Sequence, residues 1–193
     1  MSDPGMPIGD ADLSGLWVQP GFVEGVVADR CSFASLADAY RHVFRHNLEY
    51  AVLLWNGVPV RLSYREDVPA MAEGLTVLLA TAERPAPAFA GYTFRTPNLE
   101  CLWQLTSDAG EVTVEGFWQV VAGRYESALN QLGMIRMARE AFRCEWKLLL
   151  RQLIQALDDA EASLSRPEDR DLLAELRRIE AFIPELGRFY RYQ

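Results

Sequence analysis

At 193 residues, half of them apolar, the chain is long enough to bury a substantial core and reads as one domain. Its 19 basic and 27 acidic residues leave a net charge of -8, which repels phosphate backbones and anionic headgroups. Nucleic acid and membrane are thereby excluded as expected partners, whereas a basic protein would be steered toward this surface.

Residues 1–30 are rich in Gly, Pro and Asp, yet hold the apolar words Leu16-Trp17-Val18 and Phe22-Val23. They are expected to form an N-terminal extension docked on a single α+β domain at 31–193. The opening, MSDPGMPIGDADLSG, has no cationic start and no apolar run of signal-peptide length. No stretch approaches the ~20 consecutive apolar residues of a membrane span. Cys31, Cys101 and Cys144 are odd in number and form no CxxC pair, so a soluble protein of the reducing cytoplasm is the expectation.

Apolar residues at Phe33, Leu36, Ala37, Tyr40, Val43 and Phe44 predict a first helix from Phe33 to His46, with Ser32 as its cap. Residues 49–55 and 58–64 flank Asn56-Gly57, the pair that tolerates a type I′ turn, and predict a hairpin whose Pro59 assigns the second strand to an edge. Asp67 then caps a helix striped by Val68, Met71, Leu75, Leu78 and Ala82, stopped by Arg84-Pro85-Ala86-Pro87. Strands at 89–96, 99–106 and 111–121 follow as an antiparallel meander, with a brief strand at Met134 to Met137. In the third of these, Val112, Val114, Trp118 and Val120 are expected on the packed face, and Glu111, Thr113, Glu115 and Gln119 on the wet one.

From Arg139 the chain turns helical. Phe142, Trp146, Leu149, Leu150, Leu153 and Leu157 line one face, and Arg143, Lys147 and Arg151 another. Ser165-x-x-Glu168 has capping-box spacing, and Leu172, Leu176, Ile179 and Ile183 continue a last helix to Pro184. The predicted fold is α+β: an antiparallel sheet of about five to six strands packed against helices, with a C-terminal helical hairpin.

The residue types of catalysis are sparse. His42 and His46 are the only histidines, spaced four apart with Asp38 a turn earlier, but the helix phase turns Asp38, His42, Arg45 and His46 to solvent. Arg45 opposes a cation, and no glutamate follows as in HExxH. Gly21 and Gly25 form neither a Walker loop nor a dinucleotide fingerprint. Glu111 and Glu115, the one carboxylate pair on a strand face, read as surface. No metal, cofactor or catalytic residue is expected. Four of the five tryptophans, at 55, 103, 118 and 146, fall on core faces, and Arg188-Phe189-Tyr190-Arg191-Tyr192 mixes cations with rings as contact surfaces do. Acids gather at Asp158, Asp159, Glu161, Glu168, Asp169, Asp171 and Glu175, around the turn between the last two helices.

Phe117-Trp118-Gln119-Val120-Val121-x-Gly123, then Glu126-x-x-Leu129-Asn130, then Phe142-x-x-Glu145-Trp146-Lys147-x-Leu149-Leu150 stand in order, with Leu54-Trp55-Asn56 and Tyr64 before them. Over 50–155 this resembles immunity proteins of bacterial polymorphic-toxin systems. The resemblance implies a small cytoplasmic protein, not an enzyme, that binds one cognate toxin and blocks its active site or substrate access. If the toxin is a basic nuclease, Asp158, Asp159, Glu161 and Asp169 are the expected partner-binding residues; otherwise Glu111 and Glu115, with Phe117 and Gln119, serve from the wet strand face. The alternatives are a small-molecule-binding domain or enzyme with a pocket between sheet and helices, lined by Glu145 and a neighbouring arginine, and a scaffold or oligomerisation subunit. Oligomeric state stays open.

Overall fold

The computed structural model describes residues 15–21, 23, 30–45, 49–85 and 87–184. Phe22, His46 and the Arg188 to Tyr192 segment lie outside the described residues. The elements run β1 (Leu16–Gln19), β2 (Ser32–Phe33), α1 (Leu36–Val43), β3 (Tyr50–Trp55), β4 (Val58–Ser63), α2 (Asp67–Glu83), β5 (Ala88–Arg95), β6 (Leu99–Asp108), β7 (Glu111–Val121), α3 (Glu126–Gln131), β8 (Ile135–Ala138), α4 (Arg139–Asp159), β9 (Ser163–Leu164) and α5 (Pro167–Phe182). The class is α+β with antiparallel sheets and a C-terminal pair of packed helices. The strands, however, divide between a three-stranded sheet, β1-β3-β4, and a four-stranded one, β5-β6-β7-β8, while β2 and β9 form a parallel pair.

Two tight turns set the registers. Asn56 and Gly57 both take positive φ, at 45° and 84°, which matches the twist of β3 and β4 on either side. Ala109 and Gly110 repeat that geometry between β6 and β7, at 45° and 90°. β4 is an edge strand, as its proline requires, and β1 pairs with β3 on the other side, so the N-terminal extension contributes a strand.

The first helix starts later than its apolar spacing suggests. Ser32 sits in β2, opposite Ser163, and Ser35 is the residue whose side chain accepts from Asp38 N at 3.1 Å. With that start, Leu36, Ala39, Tyr40 and Val43 form the buried stripe, and Ala39 replaces the expected Ala37. His42 is half-buried rather than solvated, its ring 5.1 Å from that of Phe33.

Asp67 also departs from its predicted role. It lies inside the first turn of α2, fully buried, and no side chain caps that helix. Its carboxylate instead accepts from Ser63 N at 2.8 Å, Thr96 Oγ1 at 2.5 Å and Asn98 Nδ2 at 3.1 Å, tying the end of β4 to the β5–β6 turn. The stripe of α2 is buried as expected, and so are Ala72, Leu79 and Gly74. A Cβ on Gly74 would come within 2.3 Å of Tyr92, so glycine lets the helix lie directly on β5.

At the C-terminal hairpin the expected box does not form: Ser165 Oγ meets Ser32 Oγ at 3.2 Å, because Ser165 N is already paired with Phe33 O beside the β2–β9 ladder. In α5 Leu173 is buried, and the expected Leu172 is half-buried against the core. The cationic stripe of α4 is the seam with its neighbours. Arg143 reaches Glu83 of α2 at 3.0 Å, and Arg151 reaches Glu180 of α5 at 3.1 Å.

At the centre, the ring centroids of Trp55 lie 5.2 Å from those of both Trp103 and Trp118, and Trp146 lies 6.2 Å from Trp103. The indole N–H groups of Trp55, Trp118 and Trp146 are buried without an acceptor. Each such orphan costs about 1–3 kcal/mol, against about 3 kcal/mol from burying the ring and roughly 1 kcal/mol per aromatic contact, so packing prevails.

Candidate functional site

Helices α2, α3 and α4 pack against the four-stranded sheet, α3 along β7. α2 covers β5 and β6, α4 reaches β7 and β8, and the inward row Phe94, Cys101, Trp103, Leu105, Val112 and Val114 is buried beneath them. Strand alternation then turns the intervening residues outward, where the registers align them in rows. Phe89, Thr106, Thr113 and Arg136 form one row; Gly91, Gln104 and Glu115 the next; then Thr93, Leu102 and Phe117; then Arg95, Glu100 and Val120. Asp108, Glu111 and Ala138 complete the face at the turn end.

Val120 belongs to this outer face, contrary to its expected place in the core. Glu100 pairs with Val120 while Cys101 pairs with Trp118, so Gln119 is an extra residue in β7. A bulge of one residue shifts every later side chain to the opposite face, which buries Val121 and leaves Val120 44% exposed. Simple alternation could not foresee it. Counting outward from the Ala109-Gly110 turn would have found Leu102 and Asp108, which the sequence reading passed over, and the β5–β6 register adds Phe89.

The chemistry of the face is mixed. Phe89 and Phe117 are 63% and 43% exposed, and Leu102 beside Phe117 is half-buried. Arg95 and Glu100 form an exposed ion pair at 3.1 Å that leaves the Arg95 side chain 77% exposed, whereas Glu111 and Glu115 have no hydrogen bond or ion pair within the described residues. At the far end of β7, Glu126 Oε1 accepts from Val121 N at 2.7 Å; main-chain N–H groups hold that carboxyl below the usual range. Asn130 accepts from Trp118 N at 2.9 Å and donates to Trp118 O at 2.8 Å, closing the strand where β8 has ended.

The acids of the helical hairpin are differently placed. Asp158 is paired with Arg177, Glu161 with Arg30, and Asp169 accepts from Leu36 N at 3.0 Å, at the start of α1. Three of the four expected there are thus held by the fold, and Asp159 stands exposed without such a partner among the described residues. It borders a cleft of about 260 Å³ with Val23, Phe44, Gln152, Gln155 and Ala156. That is below the roughly 300 Å³ at which small-molecule sites begin. Glu145 lines no cavity there; buried in α4, its Oε2 accepts from Val18 N at 3.2 Å.

Among the described residues no group of three His, Cys, Asp or Glu could hold a metal ion, and no helix is long and apolar enough to cross a membrane. Comparison with protein families, curated proteins and solved structures found no match to this chain.

Proposed function

We propose that this chain is an immunity protein, which binds a cognate toxin in the cytoplasm and neutralises it by occluding its active site or substrate access. The observation that carries the proposal is the outer sheet face, where Leu102, Phe117 and Val120 form an apolar centre, with the carboxylate of Glu115 in the next row and that of Glu111 at the turn end, both unpaired within the described residues. An aromatic anchor with a polar rim is the anatomy of a protein interface. Two free acids on a chain of net charge -8 suit a basic partner, attracted at long range and fixed by the aromatic at contact. The likeness of 50–155 to immunity proteins points the same way.

The test is co-expression with the product of the adjacent reading frame, scored by survival of the cells and by co-purification. Wild type should rescue and bind. Phe117→Lys should weaken binding by on the order of a hundredfold, as loss of a central aromatic does. Joint reversal of Glu111 and Glu115 to lysine should mainly slow association. The Asp158, Asp159 and Asp169 triple reversal should change association less, since two of these acids are already paired. Failure of the wild-type chain to bind or rescue would overturn the proposal; loss confined to the hairpin triple would move the site there.

A further inference from the structure

Unpaired strand edges invite association, and this chain closes nearly all of its edges with identifiable devices. On β1, Glu145 occupies Val18 N. β4 carries Pro59, whose carbonyl accepts from Tyr125 Oη at 2.7 Å. β7 beyond β8 is sealed by Asn130 and Glu126, and β8 itself is only four residues long. β5 is the exception: eight residues at the edge of the larger sheet, paired to β6 on one side. Among the described residues its other side meets no backbone or side-chain hydrogen bond, and it contains neither proline nor bulge.

We propose that the chain forms a homodimer through β5, with two copies pairing antiparallel so that their four-stranded sheets join across a twofold axis. The strand is its own complement. To keep buried faces together, residues of like parity must oppose one another. Centring the axis on Tyr92 sets Ala90 against Phe94, small against large, on the inner side. On the outer side it sets Phe89, 63% exposed, against the second copy's Arg95, whose side chain is 77% exposed, so a cation meets an aromatic ring twice. A foreign strand would have to supply both partners; a second copy already does. Val77, 39% exposed on the helix packed over β5, adds apolar surface. The inference is independent of the toxin-binding proposal.

Sedimentation equilibrium across concentration tests it. Wild type should give a reversible monomer–dimer equilibrium. Phe89→Lys places like charges opposite Arg95 twice and should raise the dimer Kd by on the order of tenfold. Phe89→Glu, which meets the same arginine with opposite charge, should leave it dimeric. Phe89 is exposed, so both variants should fold, checked by their melting temperatures. A wild-type chain monomeric at every concentration overturns the proposal, as does a Phe89→Lys variant that dimerises unchanged. Equal weakening by lysine and glutamate overturns the Tyr92-centred register.

Discussion

Lys147 of α4 donates its ammonium to the Ile183 carbonyl at 2.5 Å, where α5 ends. The same nitrogen reaches the Glu180 carbonyl at 2.9 Å. A buried cation thereby satisfies the Ile183 carbonyl at the helix end, shares the Glu180 carbonyl with the Ile183 N–H, and lies at the negative end of the helix dipole. Lys147→Met keeps the apolar stem and removes the charge. It should cost about 2 kcal/mol, with faster hydrogen exchange at 179–183 and unchanged protection in β7. Wild-type exchange at the end of α5 would reject this role.

Asp67 is the second place where one polar side chain holds distant elements together. Asp67→Ala strands the Ser63 N–H and leaves Thr96 and Asn98 without their acceptor, and should cost about 3 kcal/mol in urea unfolding. Asp67→Asn keeps the shape and should recover part of it. If alanine costs under half of that figure, the carboxylate is not the tie described.

Ala109 takes a φ of 45°, a region that penalises a Cβ and that asparagine tolerates better. Ala109→Asn converts the β6–β7 turn to the Asn-Gly pair already used at 56–57 and should stabilise by about 0.5–1 kcal/mol, read as a higher Tm. A lower Tm would mean that the turn is held by something other than its own geometry.

Burial pushes the Cys101 thiol up to about 12, against the opposing effect of the Trp103 side chain, and raises the Tyr64 hydroxyl to about 12. Tyr40 is raised by the same cause. These groups stay protonated in the fold while their unfolded counterparts ionise earlier. Their stabilisation is complete below pH 9 and is lost as pH rises toward 12. Thermal melts from neutral to strongly alkaline pH should show that decline, weakened in Cys101→Ala. Native Cys101 should also resist thiol reagents, while the partly exposed Cys31 and Cys144 react.

Periodicity and turn chemistry made most of the elements legible: Asn56-Gly57 marked the hairpin, and Phe142, Trp146 and Leu149 the buried face of α4. What escaped was decided by contacts between distant residues. Ser35 caps α1 because Ser32 is drawn into a pair with β9, and Asp67 serves the β5–β6 turn because the fold brings Asn98 to it. The acids at 158–169 looked like a free patch, but Arg177, Arg30 and the start of α1 claim three of them. The sheet face that carries the functional proposal was half visible: alternation showed Glu111 and Glu115, and the bulge at Gln119 hid Val120.

The tryptophan cluster has an optical consequence. Indoles buried without an acceptor emit at short wavelength, and rings as close as those of Trp55, Trp103 and Trp118 exchange excitation before emitting, which lowers the polarisation of the light. Fluorescence from this chain therefore reports on the integrity of its interior, blind to whatever settles on the far side of the larger sheet. Trp17, partly exposed in β1, is the one described indole whose signal can follow events at the surface.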